Sequence, residues 1–600
     1  MQLSRLYSNK PKIFVPIEFN SLGDDTLMNV VFGEVRDPKN RKKDSHNLGK
    51  TTLLNLIDFC LLKGMSPDQF LAKHRDRFEG FDFFLEIALN DGAFATVRRG
   101  ADNPNDVSLK RHDVRGLQMV EASEDEWDHP HLSREEAVTL LDGWLDLRVL
   151  KPYDFRKAIT YFLRSQGDYN DELQLQKFRQ GKDRDWKPFV AHLFGLDERP
   201  VKRKYELDDV VERLSKKRDE QQAEVQFVEE QLPELNARIN LLQGQVQELE
   251  AAIDAFSFDD QERRMVEELA GNIEREISEL NDRYYNNRYD QNQIDAALKH
   301  KDKFDLSEVE EIFGEAKINF PKELKKNYEE LVAFNKKVTH ERNVALRSRL
   351  KFLIEEEAEL EARKDELDQQ RQRHLRVLRN TDAFDKFKDL QREVTKQASN
   401  LVYLDEQRKK LEAVVATATK LREAERDRGR ATDEIKAMIQ RQAPIYERFS
   451  QIFNSYCQRV LNHAGIFHFR VNSSGNLDYT IGLSNEMGTL SSQSEGTSYR
   501  KLICALFDLA LLRVYDRQSF FRFVYHDGVL EGLDDRKKIA LLDVVREQIR
   551  SSNSQYVLTL IDSDVPRDAA GNRIPFEDDE IVLRLHDGGA DGRLFRMAEF

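Results

Sequence analysis

Six hundred residues, 34% of them charged and 40% hydrophobic, with mean hydropathy -0.67, exclude a membrane transporter: the longest apolar-rich run, Leu53 to Leu62, is broken by Asn55 and Asp58, and a bilayer span takes roughly 18 apolar residues without a break. A formal charge of -15 excludes a polycation that wraps nucleic acid through its overall field, while a local basic face stays open. Only Cys60, Cys457 and Cys504 occur, too scattered for a disulfide framework or a compact zinc site, and with no signal pattern at the N-terminus a cytoplasmic location without a membrane partner is expected.

The chain opens with strand candidates at Ile13 to Phe19, Met28 to Val35, Phe83 to Leu89 and Phe94 to Arg98. Between the second and third lies Asp44-Ser45-His46-Asn47-Leu48-Gly49-Lys50-Thr51-Thr52, followed by the apolar helix Leu53 to Leu62. This order of strand, loop and helix reads as a phosphate loop. Backbone N–H groups and the helix N-terminus would cradle phosphate oxygens, Lys50 would neutralise the terminal phosphates, and the Thr51 hydroxyl would hold Mg²⁺. The pattern G-x-x-x-x-G-K-[ST] asks for glycine where this chain has Asp44. Gly-Lys-[Ser/Thr] alone arises by chance in roughly a third of chains this long at average composition, so it needs a second half-site.

From Leu207 the series Leu207, Val211, Leu214, Arg218, Gln221, Val225, Val228, Leu232, Leu235, Ile239, Leu242, Val246, Leu249, Ile253 and Phe256 advances in alternating steps of four and three, the seam of a coiled coil. From Lys322 to Arg428, 107 residues contain neither Gly nor Pro, where average usage gives about 13. Leu346, Leu350, Leu353, Leu360 and Leu367 keep heptad spacing there, and Leu404, Leu411, Val414, Ala418 and Leu421 resume it. An antiparallel coiled-coil hairpin follows, with an ascending arm over 203–303, an apex at 304–325 where Gly314 and Pro321 break the pattern, and a descending arm over 326–444. Straight arms of that length reach on the order of 150 Å. Breaks at Ser257 to Asp260 and Asn380 to Asp382 lie at comparable distances from the apex and suggest a paired elbow.

Residues 445–600 return to strand candidates at Phe467 to Val471, Tyr479 to Leu483, Phe521 to Tyr525, Tyr556 to Ile561 and Glu580 to Leu585. Because a hairpin returns the chain to its start, 1–202 and 445–600 can be two halves of one α/β head. The second half-site is Asp527, after an apolar strand, with Leu533-Asp534 at +6 and +7. A buried strand ending in aspartate places a carboxylate on the magnesium shell; a plain strand-to-turn Asp-Gly is the alternative. Leu490 to Ser498, rich in serine and followed by the apolar helix Leu502 to Leu512, reads as an anion-binding loop or as a simple helix cap.

Head halves split by a coiled-coil hairpin resemble the ABC ATPases of the SMC and RecN class, and the resemblance spans essentially the whole chain. It implies an α/β, ABC-type P-loop ATPase head whose cofactors are ATP and Mg²⁺. Asn47, Gly49, Lys50, Thr51 and Thr52 match the phosphate loop, and Gln166 the Q-loop glutamine, an ordinary polar turn being its alternative. Asp527 matches the Walker B aspartate, with Thr51 and Asp527 on the metal, and Asp534 matches the D-loop. Ser494 and Gly496 match the signature loop that caps the opposite subunit's nucleotide, implying a homodimer through the heads; Glu495 stands where that motif has a glycine. Where the family carries its catalytic glutamate, this chain has Gly528, so Glu531 is the candidate to align water. Asp562-Ser563-Asp564 stands where the family has a switch histidine.

His46 to Lys50 and Ile561 to Asp564 look most like a bacterial subfamily of three-component anti-phage and conflict loci. That likeness implies DNA and a small accessory or effector protein as partners. Arg36, Lys39, Arg41, Lys42 and Lys43 fit a nucleic-acid contact or, more simply, a solvated loop, and His526 fits a nucleotide contact or a packed side chain. No Cys-x-x-Cys lies near the apex, which excludes a zinc hook. The rival functions are a nucleotide-binding scaffold with little or no turnover and a partner-binding coiled coil with a vestigial head.

Overall fold

A computed structural model describes residues 1–36, 48–173, 182–256, 260–299, 322–375, 382–484 and 496–598. The fold is mixed α/β with long helices, and it divides into two compact units, Met1–Asp208 with Arg426–Phe600, and Asp209–Glu425. In chain order the strands are β1 (Gln2–Ser8), β2 (Ile17–Glu18), β3 (Met28–Glu34), β4 (Asp82–Ala88), β5 (Phe94–Gly100), β6 (Asp106–His112), β7 (His129–Ser133), β8 (Leu163–Arg164), β9 (Ala464–Val471), β10 (Leu477–Ser484), β11 (Phe523–Asp527), β12 (Gln555–Ile561) and β13 (Ile581–His586). The helices used below are α1 (Lys50–Cys60), α2 (Glu198–Ala223), α3 (Leu232–Asp254), α4 (Asp260–Lys299), α5 (Lys322–Leu375), α6 (Asp382–Gln440), α7 (Thr497–Val514) and α8 (Asp535–Ser552).

In the first unit a parallel sheet runs β13-β3-β12-β11-β8. Every residue of β11 and β12 is buried, as both faces of a parallel sheet demand, which is why their sequences are nearly continuous apolar runs. An antiparallel sheet runs β2-β1-β4-β5-β6-β7. Helix α1 packs against β4, β5 and β11, so Leu53, Leu56, Ile57 and Phe59 are all buried. Asp58 on that helix is fully buried too, held by Arg156 at 2.9 Å and Lys63 at 3.0 Å. Near the other end of the chain Phe595 packs among Phe14, Phe70, Phe78, Phe81 and Phe83 with ring centroids 4.9 to 6.2 Å away.

The expected strand Ile13 to Phe19 shrinks to Ile17–Glu18, and β1, not expected, takes the interior place. Its polar residues enter the core already bonded: Ser4 donates to Glu86 at 2.7 Å and Gln2 to the Asn553 carbonyl at 2.8 Å. The three cysteines are buried free thiols.

In the second unit the heptad residues Leu235, Ile239 and Leu242 of α3 are buried in one cluster with Leu404, Leu411 and Val414 of α6. The two run antiparallel: on either side of α3, Gln221 of α2 bonds Thr417 of α6 at 2.7 Å and the ring of Phe256 lies 5.6 Å from that of Phe387 of α6. The expected seam is not one helix: it stops at Ala223 and resumes at Leu232, with Pro233 in the first turn where its missing N–H costs nothing. Helices α4 and α5 also pair antiparallel, through Arg371 to Glu274 at 2.6 Å and Arg283 to Glu356 at 2.9 Å.

Helix α4 also touches α6 in the same sense of direction, Thr395 bonding Glu274 at 3.2 Å and Lys410 lying 5.3 Å from the Tyr289 ring. The chain has therefore reversed between α3 and α4, and a straight reach of both arms does not hold within this unit. Of the expected elbow breaks and apex, residues 257–259, 380–381 and 304–321 lie outside the described residues, whereas Asp260, Asp382 and 322–325 are already helical. Among the described residues no helix is long and apolar enough to cross a membrane.

Truncating the hub of the aromatic cluster, Phe595→Ala, is expected to cost the α/β unit about 3–5 kcal/mol, read as a lower urea midpoint of its unfolding transition. An unchanged midpoint would mean that this segment does not belong to the core.

Candidate functional site

The strands of the parallel sheet point their carboxyl ends to one edge, where open α/β sheets bind ligands. Six chain segments meet there. Gly49 caps α1 with φ 100°, a left-handed conformation that suits glycine. A Cβ at that position would also lie 2.7 Å from the Cβ of Leu594, because the Leu594 N–H donates to the Leu48 carbonyl at 3.1 Å and closes the chain's C-terminal segment behind the loop. Lys50 and Thr51 open α1, Lys50 buried and Thr51 exposed, with Thr52 between those extremes.

The Thr51 hydroxyl donates to Asp527 Oδ2 at 2.6 Å, across 476 residues of sequence. Asp527 is the last residue of β11 and fully buried; its other oxygen accepts from Thr559 Oγ1 at 2.6 Å, and Thr559 in turn accepts from the Gly528 N–H at 2.9 Å. Burial raises the Asp527 pKa, while the bonds from Thr51 and Thr559 and the charges of Lys50 and Lys501 oppose the rise.

After Asp527 the chain turns at Gly528 with φ 61°. A Cβ there would stand 2.5 Å from Gln166 Nε2 and 3.0 Å from the Glu531 carboxyl carbon. The bare glycine therefore leaves room for Gln166, just beyond β8, to donate to Glu531 Oε1 at 2.9 Å. Burial and the charge of Asp564 raise the Glu531 pKa, opposed by Lys501 and Lys50. Lys501, in the second turn of α7, donates to the carbonyls of Gly528 and Glu531, each at 3.1 Å.

A buried network underlies this edge. Arg164 and Asp508 are both fully buried and pair through two contacts of 2.5 and 2.7 Å. Arg164 also donates to the Asp168 carbonyl at 2.7 Å, fixing the loop that carries Gln166. His526 bridges Asp508 at 3.1 Å and the Tyr556 hydroxyl at 2.9 Å. It is a packed core histidine, its pKa lowered chiefly by burial.

Asp534 caps α8, accepting from the Arg536 backbone and side chain at 3.0 and 2.9 Å, on the surface beyond the Gly528–Gly532 turn. Gly496 is the N-cap of α7 in extended backbone. Asp562 is paired with Arg573 at 2.7 Å, and Asp564 accepts from the Ile561 N–H at 3.2 Å, so both are engaged with their own loop. Asn47 and Ser494 lie outside the described residues, as do the basic residues Lys39, Arg41, Lys42 and Lys43; Arg36 is exposed and bonded to Glu34 at 3.0 Å. Sequence reasoning missed Arg164, Lys501, Asp508 and Thr559. A lone charge in an apolar helix was the available signal for Asp508, since such residues are buried only when paired.

Residues 456–599 match a family model described as "Uncharacterised protein conserved in bacteria (DUF2326)". The chain is similar to the Smc head domain with a coiled coil and joint from Pyrococcus yayanosii, at 15% identity over 93% of this chain and 92% of that one, with TM-score 0.35. It is also similar to the Smc head domain with an extended coiled coil from Pyrococcus furiosus, which was solved bound to the C-terminal domain of ScpA, at 10% identity over 94% and 90%, with TM-score 0.32. No curated protein matches. Likeness at this level leaves the chemistry to be read from the residues themselves.

Asp508→Ala strands the Arg164 guanidinium in the core and is expected to destabilise the α/β unit by about 3–5 kcal/mol in denaturant unfolding. The double replacement Arg164→Met, Asp508→Leu should recover most of that loss. A double variant no better than the single one would contradict the pairing.

Proposed function

We propose that this protein is an SMC-like, ABC-type ATPase that binds ATP with Mg²⁺ in its α/β head and hydrolyses it slowly. Nucleotide would bring two heads together and so control arms, formed by a coiled-coil hairpin, that sense or tether DNA. The observation that carries this reading is the 2.6 Å bond between Thr51 and Asp527, which joins the hydroxyl after a Gly-Lys pair to a carboxylate at the end of a buried strand.

Each residue has a task that its chemistry suits. The N–H groups at the start of α1, with Gly49 in a conformation that lets the backbone approach, receive phosphate oxygens, and Lys50 adds a full positive charge beside them. One hydroxyl and one carboxylate form a hard oxygen donor set of the kind Mg²⁺ uses together with waters and phosphates, so Thr51 and Asp527 would hold the ion. Bound there, the metal supplies neutralisation of phosphate charge.

Glu531 stands beside the position that Gly528 leaves empty of side chain, and Gln166 orients its carboxylate. Its raised pKa makes it a better proton acceptor than a free glutamate. Gly496, at the cap of α7, and Ser494 are assigned to the nucleotide of a second subunit, and Asp534 to the surface that meets it. A small accessory or effector protein and a part in bacterial anti-phage defence rest on resemblance in sequence.

Phosphate release measured with and without DNA tests the proposal. Lys50→Ala and Asp527→Ala should abolish turnover, and Glu531→Gln should lower it by about 100-fold or more. Gly528→Ala should also slow it, because the added methyl displaces Gln166 and Glu531. ATP binding without release in any condition would favour a nucleotide-binding scaffold, and no ATP binding at all would leave a partner-binding coiled coil.

A further inference from the structure

The turn that carries Glu531 is bounded by two glycines in left-handed backbone, Gly528 with φ 61° and Gly532 with φ 72°. Glycine at both ends gives such a turn many alternatives to its observed path. Val529, Leu530 and Leu533 anchor its apolar side in the core, and Glu531 stands partly buried on its polar side. The backbone bonds inside the turn are long, Glu531 N–H to the Gly528 carbonyl at 3.3 Å and Leu533 N–H to the Leu530 carbonyl at 3.3 Å. Gln166 holds the Glu531 carboxylate at 2.9 Å and Thr559 the Gly528 N–H at 2.9 Å; a further group fixes the turn through its carbonyls.

Helix α7 provides that group. Lys501 reaches the carbonyls at positions 528 and 531 with one ammonium, at 3.1 Å each, and Ser498 one turn earlier donates to the Gly532 carbonyl at 3.4 Å. The Lys501 ammonium also lies 5.7 Å from the ring of Tyr169, on the loop that carries Gln166. The loop that carries Gln166, through Tyr169, and the turn that carries Glu531, through its carbonyls, thus both meet the same side chain. Burial lowers the Lys501 pKa, opposed by the surrounding carboxylates of Glu531, Asp564 and Asp527, and the hydrogen bonds of the ammonium go to backbone.

We propose that Lys501 is a positioning residue: it fastens the Gly528–Glu531 turn to the head of α7 and thereby holds the Glu531 carboxylate in register with Gln166. This rests on reading Glu531 as the group that aligns water. A displacement of about 1 Å in such a group costs on the order of 100-fold in rate. Substrate affinity, set at the phosphate loop, is left alone.

The test compares the full-length protein with Lys501→Met, which keeps length without charge, and Lys501→Arg, which keeps donors for both carbonyls. Three quantities are read: ATP affinity at equilibrium, steady-state phosphate release, and amide hydrogen exchange over 528–533. Lys501→Met should speed exchange in that segment and lower kcat by about 10- to 100-fold with KM and ATP affinity within about twofold; Lys501→Arg should restore most of both. Unchanged exchange, or wild-type kcat despite faster exchange, overturns the positioning role, as does a loss of kcat and ATP affinity together that arginine fails to rescue. Faster exchange in Lys501→Met, reversed by arginine, in a protein whose wild type releases no phosphate would uphold the tether and instead sink the reading of Glu531 as the base.

Discussion

The parallel sheet cannot be built from either end of this chain alone. Its order alternates the two ends, β13 and β12 from beyond residue 550 flanking β3 from the first 40, with β11 and then β8 completing the edge. Interleaved strands share backbone hydrogen bonds with neighbours hundreds of residues away, and β11 and β12 are buried on both faces, so neither half has a stable sheet without the other. The long helices between them therefore have to bring the chain back, and the carboxyl ends of strands from both halves fall at one edge. The Thr51–Asp527 bond is the local expression of that constraint.

Charge is arranged along the same edge in an economical way. Asp527, Glu531 and Asp564 cluster with Lys50 and Lys501, and burial raises the pKa of both Asp527 and Glu531. Both acids are thereby held above their ordinary range, and the charges of Lys50 and Lys501 oppose the rise. Beneath it, Arg164, Asp508, His526 and Tyr556 join β8, α7, β11 and β12 through fully buried polar contacts. Buried polar networks are costly unless satisfied; here each contact holds a loop or strand end that carries one of the site's side chains.

Much of this was legible in the sequence, and the rest was not for identifiable reasons. β11 and β12 announce themselves because burial on both faces makes them nearly continuous apolar runs, and α1 because the run from Leu53 is broken only by Asn55 and Asp58. β1 was hidden: Gln2, Ser4 and Arg5 read as surface residues, and only partners such as Glu86 and Asn553, far along the chain, make their burial tolerable. Gly528 reads as a defect in a family motif, whereas its local effect is to make room for Glu531 and Gln166, a relation that no spacing rule contains. The heptad seam marked which residues of α3 and α6 face each other but not the gap at 224–231, since a register can be kept across an interruption.

The account depends most directly on Thr51 and Asp527 serving one ion in one nucleotide site. Electron paramagnetic resonance of Mn²⁺ titrated into the protein with ATP tests this without requiring turnover. One tightly held Mn²⁺ per chain, seen only with nucleotide and lost equally in Thr51→Ala and Asp527→Asn, is the predicted result. Nucleotide-dependent Mn²⁺ binding that survives Asp527→Asn at wild-type affinity would contradict it.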